Sequence, residues 1–289
     1  MSLDSLLQPF IEFAFMRRAL VACAALCCGN AVLGTLLILR RMALVGDAMA
    51  HAVLPGAAAG FLIAGFSLWS MTFGGVLAAI VVAVIAGLIS RQTPQREDAS
   101  FAAVYLIALA GGVLLVSAAG GRVDLLHLLF GTVLAVDNTG LLLVVGVSTA
   151  VLFTLALIYR ALIVDSLERR FLLSVGVSGA TVHVTFIVLV VLNLVAGFQV
   201  LGTLMSVGLL ILPAAAARFW ATTLEGLMAV AFLIGLSASL AGLLLSYHLN
   251  LASGPAIVLI AGIGYFLSVL LGPRDGVFAA RLARRHRVA

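Results

Sequence analysis

Lysine is absent from this 289-residue chain, and charged side chains of both signs make up only 9% of it. A phosphate-binding loop of the GxxxxGK[ST] kind needs its lysine to reach the nucleotide phosphates. The chain therefore cannot hydrolyse ATP through such a loop. Any energy that drives its activity must come from a partner subunit or from an ion gradient.

Hydrophobic residues make up 64% of the sequence, against about 45–50% apolar residues in a typical soluble domain. This excess identifies an integral membrane protein. One helical crossing takes roughly 20 residues, so the chain can cross a bilayer many times. We predict an all-α polytopic bundle of about eight to nine transmembrane helices, which form a single transmembrane domain over residues 1–289.

Nine apolar blocks can be distinguished along the chain. The adjoining pair around Gln199 could be one bent or broken helix, which would reduce the count to eight. The blocks fall at about residues 19–39, 42–66, 69–90, 100–119, 139–159, 180–198, 200–217, 226–247 and 254–271.

Apart from Arg122, the arginines between and after the blocks follow odd-numbered blocks, and the positive-inside rule places those connections in the cytoplasm. The basic tail at residues 273–289 belongs to this cytoplasmic set, whereas Arg17 and Arg18 would lie outside. Because the arginines stand singly or in pairs between apolar blocks, they suit topology signals, and no nucleic-acid partner is predicted.

Two connections are long enough to be more than turns. Gly120 to Asp137 is amphipathic or re-entrant and is predicted on the external side. Tyr159 to Gly179 is predicted on the cytoplasmic side and mixes charges with apolar side chains. Such a helix either docks a soluble partner or lies on the membrane surface.

The second and third blocks, residues 42–90, contain only two ionisable side chains, Asp47 and His51. A charge at the bilayer centre costs about 2.5–3.5 kcal/mol on insertion scales. At a spacing of i, i+4 the two side chains share one helix face. Counted from Arg41 at about 1.5 Å per residue, Asp47 lies about 9 Å deep and His51 about 15 Å deep.

Three roles are compatible with this pair. It could be a structural hydrogen-bonded pair, a proton relay, or a metal position, since oxygen and nitrogen ligands suit Zn²⁺ and Mn²⁺. Two ligands form a weak site unless a symmetry mate doubles them, and weak binding favours release in a transporter. Pro55, one turn further on, can kink the helix.

The remaining candidate ligands are histidines and cysteines. For His127 we favour a solvated side chain, and for His183 and His248 anchoring at the membrane interface. Cys23 and Cys27 share a helix face, which could suggest a metal pair, but packing as small apolar side chains is favoured.

The motif RRMALVGDAMAHAVLPG, which runs from Arg40 to Gly56, closely resembles the second-helix motif of the permease family of ABC importers for zinc, manganese and iron. Three further segments resemble the family in the same order along the chain. They are DLLHLLFGTVLAVD, VLGTLMSVGLLILPAAAARF and LNLASGPAIVLIAG.

The resemblance implies a homodimeric permease in the bacterial cytoplasmic membrane, which pairs with ATP-binding cassette ATPase subunits and receives Zn²⁺ or Mn²⁺ from an extracytoplasmic metal-binding protein. It implies no permanently bound cofactor, because ATP is used by the partner. Asp47 and His51 match the family's metal-path residues.

The family's cytoplasmic coupling segment matches VDSLERRFLLSVGVS, within residues 160–178. The implied ATPase-coupling residues are Asp165, Glu168, Arg169 and Arg170. Ser166 stands where proline is common in the family, and Asn250 stands where aspartate is common, so Asn250 is given no metal role.

The expected mechanism is alternating access, with ATP hydrolysed by a separate subunit. A proton-coupled secondary metal transporter is the alternative that would need no ATPase. An intramembrane protease is less compatible, because a second acid well inside another apolar block and an HExxH motif are both missing. A structural scaffold would tolerate loss of both Asp47 and His51.

Overall fold

The computed structural model describes residues 3–65, 67–95, 97–118, 136–167, 179–274 and 276–279. These residues form ten helices and contain no strand. The helices are α1 Leu3–Glu12, α2 Ala14–Leu39, α3 Ala43–Ala64, α4 Leu68–Gln92, α5 Glu97–Ala118, α6 Asn138–Leu167, α7 Gly179–Leu201, α8 Thr203–Ala217, α9 Leu224–Leu249 and α10 Ser253–Leu271.

Eight of these helices are long and apolar enough to cross a membrane. The exceptions are α1 and α8. Helix α8 has 15 residues and is about 22 Å long, shorter than a hydrocarbon core of about 30 Å. The predicted all-α membrane bundle is therefore confirmed, with eight full spans among the described residues.

The sixth and seventh apolar blocks of the sequence correspond to α7 and α8, which are separated by a break at Gly202. Its backbone angles, φ 86° and ψ 160°, lie in a region that is almost restricted to glycine. The hydroxyl of Ser206 donates a hydrogen bond of 3.0 Å to the carbonyl of Gly202. The adjoining blocks are thus one interrupted segment, as the sequence allowed, although the break falls three residues after Gln199.

One compact unit contains residues 1–39, 126–145 and 200–289. In it, α2 packs against α8 and α9, and α10 packs against both of those helices. The helices approach closely at Gly34, where an added Cβ would collide with the carbonyl oxygen of Leu210. Small side chains thus set the helix spacing here, as is usual inside membranes.

The start of α6 contacts the start of α2 in this unit. Arg18 donates a hydrogen bond of 3.3 Å from Nη1 to the side-chain oxygen of Asn138. The Arg17–Arg18 pair and the start of α6 therefore lie at the same end of this unit, and the external position of that end stays a prediction. The preceding residues form the separate short helix α1, where an interfacial helix was predicted.

The second compact unit contains residues 40–125 and 146–199. Here α3 packs against both α4 and α5. A Cβ at Gly56 of α3 would collide with the carbonyl of Gly74 in α4, and the hydroxyl of Ser70 donates a hydrogen bond of 2.9 Å to the carbonyl of Gly60. These close contacts fix the face that α3 turns towards α4.

Candidate functional site

Asp47 and His51 lie in the second and third turns of α3, which begins directly after a tight turn. Arg41 in that turn has a φ of 58°, in the left-handed region that few non-glycine residues adopt. The amide of Val45 then donates a hydrogen bond of 3.1 Å to the carbonyl of Met42. The RRM sequence is therefore the turn, and the motif that follows it is the helix.

The Asp47 carboxylate and the His51 imidazole stand side by side without a hydrogen bond. His51 Nε2 lies 3.8 Å from Asp47 Oδ1, which is longer than a hydrogen bond of this type. The side chain of Asp47 is 53% exposed and that of His51 is 38% exposed. Both groups therefore keep lone pairs available, and a cation between them could receive one oxygen and one nitrogen ligand.

The face of α3 that carries this pair is uncovered within the unit. Gly56 is half a turn around the helix from Asp47, and it is the Gly56 side that packs against α4. The exposed or part-exposed stripe contains Leu44, Asp47, His51, Leu54, Ala58 and Leu62. An aspartate on an uncovered membrane face requires water, a cation or another protein surface beside it.

His51 is held from one side by α5. Its ring stacks on that of Tyr105, with 5.7 Å between the ring centroids and an interplanar angle of 23°. One turn further along α3, the ring of Pro55 packs on Gly112 of α5, where a Cβ would collide with it. Helix α3 continues through Pro55. Sequence reasoning missed Tyr105, because nothing in its spacing relates it to His51.

Asp165 lies in a different environment from the metal-path pair. It is buried, and its Oδ2 lies 3.3 Å from Arg40 Nη2. The resemblance implies a role for Asp165 in coupling to an ATPase, and that role stays a prediction. Glu168, Arg169 and Arg170, the other three predicted coupling residues, are outside the described residues.

The sequence pattern of the ABC 3 transport family matches residues 12–272. The chain belongs to this family. The manganese import system permease protein ScaB of Streptococcus parasanguinis is 34% identical over 265 residues, which cover 91% of this chain and 93% of that protein. The manganese transport system membrane protein MntC of Listeria monocytogenes is 31% identical over 276 residues, 95% of this chain and 97% of that protein.

Solved structures agree with the assignment to the ABC 3 transport family. The structure of PsaBC from Streptococcus pneumoniae in complex with Fab matches with a TM-score of 0.82 and 29% identity, over 97% of this chain and 100% of the matched chain. An inward-facing metal-chelate type ABC transporter shares the fold, with a TM-score of 0.68 and 19% identity. The chain is thus a multi-pass bacterial inner-membrane subunit of an ABC transporter.

Other candidate ligands of this ABC 3 family chain are distributed away from the α3 pair. His183 is 2% exposed and lines an apolar pocket with residues of α4, so the prediction of interfacial anchoring is wrong for this residue. His248 is exposed and packs edge-on against Tyr247, which fits anchoring. His127 lies outside the described residues.

The cysteines of this ABC 3 family chain pack as small apolar side chains, as the sequence favoured. Cys23 and Cys27 are buried in α2, and the sulfur of Cys27 lies 3.8 Å from the hydroxyl of Ser239 in α9. Among the described residues, no group of three or more histidine, cysteine or acidic side chains could hold a metal ion. One copy therefore offers the two-ligand pair of α3 and no larger cluster in that part of the chain.

Asn250 has a structural role at the end of α9. It adopts the left-handed conformation, with φ 52° and ψ 40°, and its amide donates to the carbonyl of Ser246. Asparagine tolerates this conformation better than most residues. The residue to which the sequence analysis gave no metal role thus terminates a helix.

Proposed function

We propose that this chain is the permease subunit of an importer for a divalent transition metal ion, Mn²⁺ or Zn²⁺. The observation that carries the proposal is the half-exposed Asp47–His51 pair on a membrane helix, which has no hydrogen bond between its members. The relatives named as manganese permeases support it. The pair supplies oxygen and nitrogen ligands, which suit both ions.

A second copy of the chain completes the site in this proposal. Two copies that face each other through the uncovered stripe of α3 would surround one ion with two carboxylates and two imidazoles. A four-ligand set of this composition is ordinary for Zn²⁺ and acceptable to Mn²⁺. It would also cover the aspartate that a single copy leaves uncovered.

Transport in this proposal follows alternating access. A separate ATP-binding cassette subunit hydrolyses ATP, because the chain contains no lysine for a phosphate-binding loop. The segment at residues 160–178, with Asp165, Glu168, Arg169 and Arg170, transmits that cycle to a single permease domain over residues 1–289. An extracytoplasmic metal-binding protein delivers the ion, and the tail at residues 273–289 lies in the cytoplasm.

The test is uptake of radioactive Mn²⁺ and Zn²⁺ by cells that express the chain with its ATPase and its metal-binding protein. Asp47→Asn and His51→Ala should each lower uptake by at least the roughly 10–100-fold that loss of a metal ligand's partner typically costs. His248→Ala is the matched control, because it removes an exposed histidine of another helix. Normal uptake by both α3 variants at normal expression would refute the proposed path.

The same assay separates an ATP-driven importer from a secondary carrier. A catalytically inactive ATPase should abolish accumulation if the chain works as proposed. Accumulation that continues with the inactive ATPase and stops when the proton gradient is collapsed would replace the importer with a proton-coupled carrier.

A further inference from the structure

A buried ion pair connects two segments that the proposed mechanism keeps separate. Arg40 Nη2 lies 3.3 Å from Asp165 Oδ2, with the two side chains only 8% and 2% exposed. Arg40 is the first residue of the turn that precedes α3, and Asp165 lies two residues before the end of α6. The pair thus joins the base of the metal-path helix to the beginning of the coupling segment.

The guanidinium of Arg40 is held by three groups at once, two from α6 and one from α7. Besides the Asp165 carboxylate, Nη2 donates a hydrogen bond of 3.0 Å to the carbonyl of Leu162. The guanidinium carbon lies 4.9 Å from the ring centroid of Phe186 in α7, within the range of a cation–π contact. Several simultaneous contacts define one orientation of the arginine, which a single surface ion pair would not do.

Helix α7 also contacts the other partner of the ion pair, the carboxylate of Asp165. A Cβ at Gly179, the first residue of α7, would lie 3.0 Å from Asp165 Oδ1. The carboxylate therefore sits between the end of α6 and the start of α7, the two helices that flank the segment at residues 168–178. A displacement at the end of α6 would therefore act on the backbone that carries Asp165.

Stability alone does not explain such a pair. Replacing a buried ion pair by apolar side chains of similar volume is often neutral or stabilising. Buried ion pairs specify one geometry in some proteins, and the several contacts that orient the Arg40 guanidinium fit that role. Asp47 lies only about 6 Å along α3 from its first residue, Ala43, so a shift at the base of α3 reaches the metal-path pair directly.

We propose that Arg40 is a positioning residue through which the coupling segment, acting on Asp165, moves α3 and its Asp47–His51 pair. This inference rests on the proposed metal-import function. Arg40 and Asp165 touch neither metal nor nucleotide. They convert a movement at the ATPase-facing end of α6 into a movement of the helix that carries the ligands.

The test uses the assembled complex with its ATPase, reconstituted into liposomes with the metal-binding protein. The main variant is the double substitution Arg40→Met with Asp165→Leu, which removes both charges together and so leaves no unpaired buried charge. Arg41→Gln is the matched control, because it removes a neighbouring positive charge that is exposed. Three quantities are measured: Mn²⁺ bound at equilibrium, ATP hydrolysed, and Mn²⁺ transported.

The double variant should bind Mn²⁺ and hydrolyse ATP as the unmodified complex does, while the number of ions moved per ATP falls about tenfold, within the range of coupling between sites. Arg41→Gln should keep the unmodified ratio. The inference is overturned if the double variant keeps the normal ratio, or if Arg41→Gln lowers it equally.

The single variant Arg40→Lys sharpens the result. Lysine retains the charge but cannot reproduce the planar fork of arginine. The number of ions moved per ATP should therefore be lower than in the unmodified complex and higher than in the double variant. Loss of Mn²⁺ binding and ATP hydrolysis in parallel with transport would assign the pair a purely structural role. If the unmodified complex moves neither Mn²⁺ nor Zn²⁺, the proposed function fails, and the inference fails with it.

Discussion

The two acid–base pairs of the second unit differ in almost every physical respect. Asp47 and His51 are neighbours on one helix, half-exposed and not hydrogen-bonded to each other. Arg40 and Asp165 come from distant parts of the sequence and are buried, and a backbone carbonyl and an aromatic ring hold the cation as well. The first pair can exchange its partners, whereas the second is fixed in one arrangement.

The comparison teaches that burial, rather than residue type, decides what an ionisable pair can do in a membrane protein. A buried charge that loses its partner has no water to replace it, so the pair must stay together. An exposed carboxylate can accept water or a cation instead. The motif RRMALVGDAMAH thus contributes a fixed group at Arg40 and an exchangeable pair at Asp47 and His51.

The largest effect on stability should come from removing one partner of the fixed pair, Arg40 and Asp165. Asp165→Leu alone leaves the buried Arg40 cation uncompensated, which costs about 3–5 kcal/mol of stability. The midpoint of thermal unfolding in detergent should therefore fall markedly, and adding Arg40→Met should recover most of the loss. Equal midpoints for the single and double variants would contradict a fixed pair.

An intermediate effect should follow from disturbing the face of α3 opposite the exchangeable pair. Gly56→Ala forces a methyl group against the Gly74 carbonyl, and overpacking of this kind costs about 1–3 kcal/mol. Gly87→Ala in α4 is the control, because no atom lies within 4 Å of the added Cβ. That change should be neutral or should stabilise by up to about 1 kcal/mol. Unfolding midpoints measure both, and equal shifts would show that the close contact does not set the helix spacing.

The smallest effect should come from Tyr105, which supports the exchangeable pair from one side. Tyr105→Leu removes the ring stacked on His51, an interaction worth about 0.5–1.5 kcal/mol. Metal uptake should fall by about 2–12-fold, the ratio that corresponds to that energy. Tyr105→Phe keeps the ring and should retain nearly full uptake. A large loss in Tyr105→Phe would instead assign the phenol hydroxyl a role in the path.

The exchangeable pair could be predicted from the sequence because its geometry is local. A spacing of four residues on a helix places Asp47 and His51 on one face whatever the rest of the chain does. The number of spans and the helical class follow from hydropathy in the same way. The sequence predicted the position of the break at Gly202 only to within a few residues. The backbone conformation of a glycine is not visible in the sequence, so Gly202 could not be distinguished from the other glycines.

The fixed pair could not be predicted, because it depends on tertiary packing. Arg40 looked like a topology signal at a membrane end, and Asp165 like part of a docking surface. Only the approach of α6 and α7 to the turn before α3 brings Phe186 and the Leu162 carbonyl around the guanidinium. For the same reason the stacking of Tyr105 on His51 carried no signal, since an aromatic residue in a membrane helix is usually part of the packing.

The break at Gly202 gives a criterion for following the family through evolution. The backbone angles there, φ 86° and ψ 160°, exclude almost every residue with a side chain. A lineage that keeps α7 and α8 as separate helices must therefore keep glycine at this position. In a relative with another residue at this position, the two helices should be joined into one continuous helix. The identity of this one residue therefore predicts whether the segment is interrupted.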